Sequence, residues 1–160
     1  MGRPLPRSFE PLAGDGRLRA MAHDEKLDHL RKVPLFARMN TRQLERLGQL
    51  SDEVVVGLDE VLAEQGKVGH EFFIVLDGHL TVLDGRNPIA QLHPGDFFGE
   101  IALLDGRPRT ATVRADGLTR VLVVGHREFH ALMDEFPDVR TAVLNEVAGR
   151  LRRLGGDRPA

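Results

Sequence analysis

The sequence contains no cysteine. That excludes disulfides, cysteine-ligated zinc and thiol catalysis. It has no apolar run near the roughly 18 residues that a membrane-crossing helix requires, and no apolar stretch near the N-terminus of the kind a secretory leader carries. Lysine is scarce: Lys26, Lys32 and Lys67 are the only ones, and arginine carries the remaining positive charge. That bias fits a GC-rich bacterial source. A large excess of either charge is missing too, the formal net charge being −2, so neither nucleic acid nor an anionic membrane is an expected partner. The expected location is the cytoplasm. What is present suits a globular chain: 160 residues, 41% of them hydrophobic, enough for one domain with a real core.

Residues 1–20 carry Pro4, Pro6, Pro11, Gly14 and Gly16 with little apolar periodicity, the pattern of a flexible arm. The domain is expected over 21–156, with 157–160 as a tail. Helices are predicted over 21–50. Asp24 is the expected cap of the first, Leu27, Leu30 and Val33 its apolar positions, and Pro34 its end. Asn40 with Gln43 three residues on is a capping-box signal for the second, lined by Leu44, Leu47 and Leu50.

From 51 to 124 the period shortens. Val54–Val56, Val61–Leu62, Phe72–Leu76, Leu80–Leu83, Ile89–Leu92, Ala111–Ala115 and Leu118–Val124 read as strands, punctuated by Asp-Gly pairs at 77–78, 84–85, 105–106 and 116–117. Over 125–156 the helical period returns. Phe129, Leu132 and Met133 share one helical face. Val139, Val143, Leu144, Val147, Leu151 and Leu154 follow on a last helix, with Asp138 as its cap and Gly155-Gly156 as its stop. The fold class is α+β, mainly β: an antiparallel, jelly-roll-like β-roll with N-terminal helices, one inserted helical turn and two C-terminal helices.

The inserted turn lies in Gly95–Ala115, GDFFGEIALLDGRPRTATVRA. Ile101 to Leu104 is too short an apolar run for an ordinary helix but suits a single turn. Such a turn presents backbone N–H groups near Gly99, Glu100 and Ile101, which attract an anion. Arg109 can grip a phosphate with its guanidinium fork, and Pro108 restrains the segment before it. Glu100 repels phosphate but accepts hydrogen bonds from the hydroxyls of an attached sugar. Together they point to a ribose-phosphate ligand.

Phe-Gly-Glu-(aliphatic)-Ala-Leu, a short gap and Pro-Arg-Thr-Ala resemble the phosphate-binding cassette of cyclic nucleotide-binding domains. Gly99, Glu100, Ala102, Arg109, Thr110 and Ala111 each match a cassette position, and the resemblance runs over roughly residues 24 to 154. It implies that Arg109 pairs with the exocyclic phosphate oxygens, that the backbone N–H groups of Ala102 and Thr110 add donors, and that Glu100 accepts the ribose 2′-hydroxyl. In the family, Thr at the position of Thr110 is frequent where cGMP is accepted and also in channel-type members that respond to cAMP; the expected ligand is cAMP first and cGMP second. Val82 and Val113 are expected as apolar walls for the base. The last helix is the expected lid. Arg150 is a candidate to stack on the purine, with Leu151 and Leu154 nearby.

The resemblance implies a non-enzymatic regulatory module with no cofactor and an unidentified protein partner, and the apolar face of the last helix offers a homodimer as one option. A transcription factor would need a helix-turn-helix after the sensor, and about six residues follow Leu154, so none is expected. A cyclic-nucleotide hydrolase would need a metal cluster or a nucleophile with its base. His126 and His130, four apart, lack an evident third ligand and read as surface-helix residues. Phe97 and Phe98 read as core. A ligand-free domain of this fold, kept for protein contacts, is the alternative; the intact Glu100 and Arg109 weigh against it.

Overall fold

The computed structural model of the chain describes residues 10–11, 23–104 and 106–157, of which 10, 11, 23, 24, 101 and 150–157 are described by backbone alone. In chain order these are β1 (Glu10–Pro11), α1 (His23–Arg31), a 3₁₀ turn (Pro34–Phe36), α2 (Thr41–Leu50), β2 (Asp52–Val56), β3 (Val61–Ala63), β4 (Glu71–Asp77), β5 (Leu80–Asp84), β6 (Asn87–Leu92), β7 (Phe97–Phe98), the cassette turn (Glu100–Leu103, also 3₁₀), β8 (Thr112–Ala115), β9 (Thr119–Gly125), α3 (His126–Glu135) and α4 (Pro137–Asp157). The antiparallel strands form two sheets, ordered β1-β2-β9-β4-β7 and β3-β8-β5-β6.

Side chains alternate across a strand, and β4 and β9 are apolar on both faces. Phe73 and Val75 pair with Val123 and Val121 and point into the roll, where they meet Val54, Leu62, Leu80 and Val113. Phe72, Ile74, Leu122 and Val124 point the other way, into a second core made with the helices. There Phe36 packs its ring 5.6 Å from Phe72 and 5.5 Å from Phe129. One sheet therefore serves two cores, and the helices are seated on the back of the roll. Between β4 and β5, Gly78 takes a φ of +85°. A side chain there would also collide with the Leu118 carbonyl oxygen at 2.8 Å.

Phe97 and Phe98 are the short edge strand β7. Phe98 stacks on Phe73 at 4.7 Å, and Phe97 packs toward the helix core. The Asn40–Gln43 capping box forms in both directions, each bond 2.9 Å.

Several expected boundaries move. Glu10–Pro11, inside the expected arm, pairs with Val55 and Val54 at the sheet edge, where a proline's missing N–H is tolerated. The first helix starts at His23, ahead of the expected cap Asp24. The first helix ends at Arg31, short of Pro34, and Pro34 itself opens a 3₁₀ turn, where a proline's missing donor is harmless. Asp138 is not the cap of the last helix. It sits in the first turn after Pro137, and its carboxylate accepts from the Gln43 side chain at 2.9 Å, tying α2 to α4. The last helix also continues through Gly155-Gly156 to Asp157. Two glycines cost a helix only about 1 kcal/mol each.

The capping box offers a direct check on this frame. Asn40→Ala should cost about 1 kcal/mol and lower the melting temperature by a few degrees; an unchanged thermal melt would show that the cap contributes nothing.

Candidate functional site

Arg109 is held from two sides. Its backbone N–H donates to the Lys67 carbonyl at 2.8 Å, and its own carbonyl accepts from Gly66 at 2.8 Å. Val68 and Pro108 form an isolated antiparallel bridge between the same two segments. The loop before β4 thus straps the outgoing limb of the cassette in place.

The guanidinium is then steered by glycines. Nη2 donates to the Glu71 carbonyl at 2.7 Å. A Cβ placed on Gly69 would overlap Nε, and one on Gly99 would come within 2.5 Å of Nη1 and 2.8 Å of the Glu71 carbonyl oxygen. Gly99 also has φ +83°, a conformation that L side chains rarely adopt. Gly69 and Gly99 therefore form the two walls of a slot one guanidinium wide, floored by the first residue of β4. Gly69 and the Glu71 carbonyl were missed by sequence reasoning. The available signal was a glycine directly before an apolar strand, which is a common turn pattern.

Burial pushes the Arg109 guanidinium below its usual value, and the nearby Glu71 charge pushes it back up. Arginine remains protonated throughout the physiological range. A partly desolvated cation is being kept at the site, and an incoming anion would restore part of the solvation it has lost.

A cavity of about 360 Å³ opens beside it, lined by Gly99, Glu100, Ala102, Arg107, Pro108, Arg109 and Thr110. That is within the size range of small-ligand sites. Arg109 is half-buried, Thr110 exposed and Glu100 half-buried, so a cation, an acid and a hydroxyl face one space. Arg107, exposed on the rim, is a second cationic residue that sequence reasoning left out. Ala111 is half-buried just beyond the lining.

One expected donor is occupied. The Ala102 N–H donates to the Gly99 carbonyl at 3.0 Å. The turn is 3₁₀, and its i→i+3 bond takes the third N–H where an α-helix would leave it open. A phosphate would have to share or displace that bond. Ile101 belongs to the turn, described by its backbone.

Val82 and Val113 are direct cross-strand partners of β5 and β8, facing the roll interior. Val113 is buried, Val82 half-buried, and neither lines the cavity. Arg150, Leu151 and Leu154 lie on the backbone of α4, and their side chains fall outside the described residues.

His126 departs from expectation. It is not a solvated helix residue: it is half-buried at the start of α3, its Nδ1 lies 3.0 Å from the Leu103 carbonyl oxygen, and its ring is 5.6 Å from His70 and 4.2 Å from His130. Among the described residues no group of three or more histidines and acids is placed to hold a metal, and no helix is long and apolar enough to cross a membrane.

Comparison with known proteins places this geometry among relatives. A family model described as "cyclic nucleotide-binding domain" matches residues 53–136. A potassium/sodium hyperpolarization-activated cyclic nucleotide-gated channel of Mus musculus is 37% identical over 77% of the chain. A cAMP-dependent protein kinase regulatory subunit of Dictyostelium discoideum is 32% identical over 66% of it. The chain spans only 16% and 35% of the lengths of these two proteins. Among solved structures, the N-terminal domain of a transcriptional regulator from Streptomyces coelicolor A3(2) superposes with a TM-score of 0.76 at 33% identity, covering 83% of this chain and 96% of that one.

The slot can be tested without any ligand. Gly69→Ala should fold yet expel the Arg109 guanidinium. In NMR its side-chain resonance, distinct in the parent, should merge with those of exposed arginines. An unmoved resonance would mean that the glycine walls do not hold the side chain.

Proposed function

The chain belongs to the cyclic nucleotide-binding domain family, and from that premise we propose that it is a regulatory sensor that binds cAMP, with cGMP as its second ligand, and passes the signal to a protein partner through α4. The observation that carries this reading is the partly desolvated Arg109, fixed in its glycine slot and facing a cavity shared with Glu100 and Thr110.

Each group has a role on one ligand. Arg109 takes the exocyclic oxygens of the cyclic phosphate, and its anchor on the Glu71 carbonyl leaves its other N–H groups to donate. Glu100 accepts the ribose 2′-hydroxyl. Thr110 offers a hydroxyl to the phosphate or to the amino group of guanine, which is why cGMP is retained as a second ligand. Gly99, Ile101 and Ala111 shape the turn, and Ala102 adds its N–H once the bond to Gly99 is shared. Val82 and Val113, which do not line the cavity, would meet the base only if it reached past the cassette toward the roll interior. No cofactor takes part.

The lid is the second half of the reading. Arg150 would stack on the base and Leu151 and Leu154 would close over it. A ligand shifts such an equilibrium only by its preference for the closed form, so contacts from α4 to the base are what convert binding into a signal. Leu144, 58% exposed, leaves an apolar spot on α4 for a partner or a second copy of the chain. Names of the relatives fit a module of this kind: one is a gated channel and one a kinase regulatory subunit.

Titration calorimetry tests both halves of the site. Truncating one member of a buried charged pair costs about 2–5 kcal/mol, so Arg109→Ala should weaken cAMP binding by about 30-fold to several thousand-fold. Binding within a few-fold of the parent would rule out the assignment. In the same instrument, 2′-deoxy-cAMP should bind the parent at least about tenfold more weakly than cAMP, because it lacks the hydroxyl that Glu100 would accept from. Equal affinities would remove Glu100 from the site.

A further inference from the structure

The cassette turn ends at Leu103, and a helical turn leaves its last carbonyls without internal partners. Here the partner comes from another element. His126 Nδ1 lies 3.0 Å from the Leu103 carbonyl oxygen. A carbonyl can only accept, so Nδ1 carries the proton and donates.

His126 is also the first residue of α3, and its backbone N–H donates to the His70 carbonyl at 2.9 Å. The His70 ring in turn rests on Gly106 in the outgoing limb of the cassette, where a Cβ would approach Nδ1 to 2.9 Å, and lies 5.6 Å from the His126 ring. One residue therefore joins the end of the cassette turn, the loop entering β4 and the start of the C-terminal helices. The Leu103 side chain, fully buried, lies in the same core as Phe129, Leu132, Val139 and Val143 of α3 and α4.

We propose that His126 is a positioning residue that couples the occupied cassette to the C-terminal helices through its hydrogen bond to Leu103, an inference that rests on the cyclic-nucleotide reading of the site. The ligand contacts Glu100, Ala102 and Arg109. Any shift of the turn that accompanies binding displaces the Leu103 carbonyl, and the imidazole transfers that displacement to the first turn of α3. The apolar packing of Leu103 can slide, whereas a hydrogen bond has a fixed length and direction. His126 thus sets the register of the movement rather than its energy.

The test is hydrogen exchange of the α4 amides with and without saturating cAMP, paired with calorimetry, in the parent and three variants. The parent should bind and slow exchange in α4. His126→Ala should bind cAMP within about tenfold of the parent, since one hydrogen bond remote from the ligand is at stake, but lose most of the α4 response. His126→Asn places an amide nitrogen near Nδ1 and should restore the response; His126→Gln, which reaches the Nε2 position, should not. A full response in His126→Ala, or equal responses in the Asn and Gln variants, would overturn the proposal. If the alanine variant fails to fold, the Asn–Gln pair decides alone. A parent that binds no cAMP would overturn the cyclic-nucleotide reading and this inference with it, whereas binding with an unaltered His126→Ala response overturns only the inference.

Discussion

A guanidinium bonded to a backbone carbonyl is the constraint on which the rest of this molecule turns. Arg109 is brought to Glu71 across the sequence by the strap between the loop before β4 and the cassette limb. The anchor lies at the first residue of a strand whose next five residues are all buried, so the position of the charge is tied to the register of β4 with β9. Glycine on either side leaves room for the guanidinium alone. The site consequently resists small changes: a methyl group at residue 69 or 99 has nowhere to go except through the arginine.

The same strand explains why binding could be felt far from the ligand. Alternate residues of β4 belong to the roll interior and to the helix core. Glu71 at its start holds the cavity-facing cation, and His70 just before it holds the first turn of α3 through a backbone hydrogen bond. Leu103 closes the circuit from the cassette side, with its side chain in the helix core and its carbonyl on His126. Cassette, β4 and helices are therefore joined by direct hydrogen bonds and shared packing. The roll interior, filled by Val, Leu and Phe at close packing, has little freedom to absorb a displacement.

Much of this was legible in the sequence because it is written in side-chain pattern. Short apolar runs punctuated by Asp-Gly pairs marked the main strands, Asn40 and Gln43 gave a capping box that forms as expected, and Glu100 with Arg109 marked one cavity. What stayed hidden is carried by backbone atoms and by empty space. The Glu71 carbonyl has no residue signature. Gly69 acts on a residue forty positions away, and only the fold brings the two together. The engaged Ala102 N–H depends on the turn being 3₁₀ rather than α, a choice that four apolar-rich residues do not encode. His126 read as a surface-helix residue because its partner is a carbonyl in another element. Glu10–Pro11 has too little periodicity to register as a strand, and its pairing is set by the exposed edge of β2.

The central claim is that a preset arginine receives a cyclic phosphate while a neighbouring acid receives the sugar. A crystal structure of the chain with cAMP tests it most directly. The account predicts the phosphate within hydrogen-bonding distance of the Arg109 guanidinium, with Nη2 still on the Glu71 carbonyl and the 2′-hydroxyl on Glu100. Nucleotide bound elsewhere, or an Arg109 turned out of its glycine slot with the phosphate held by other groups, would contradict it.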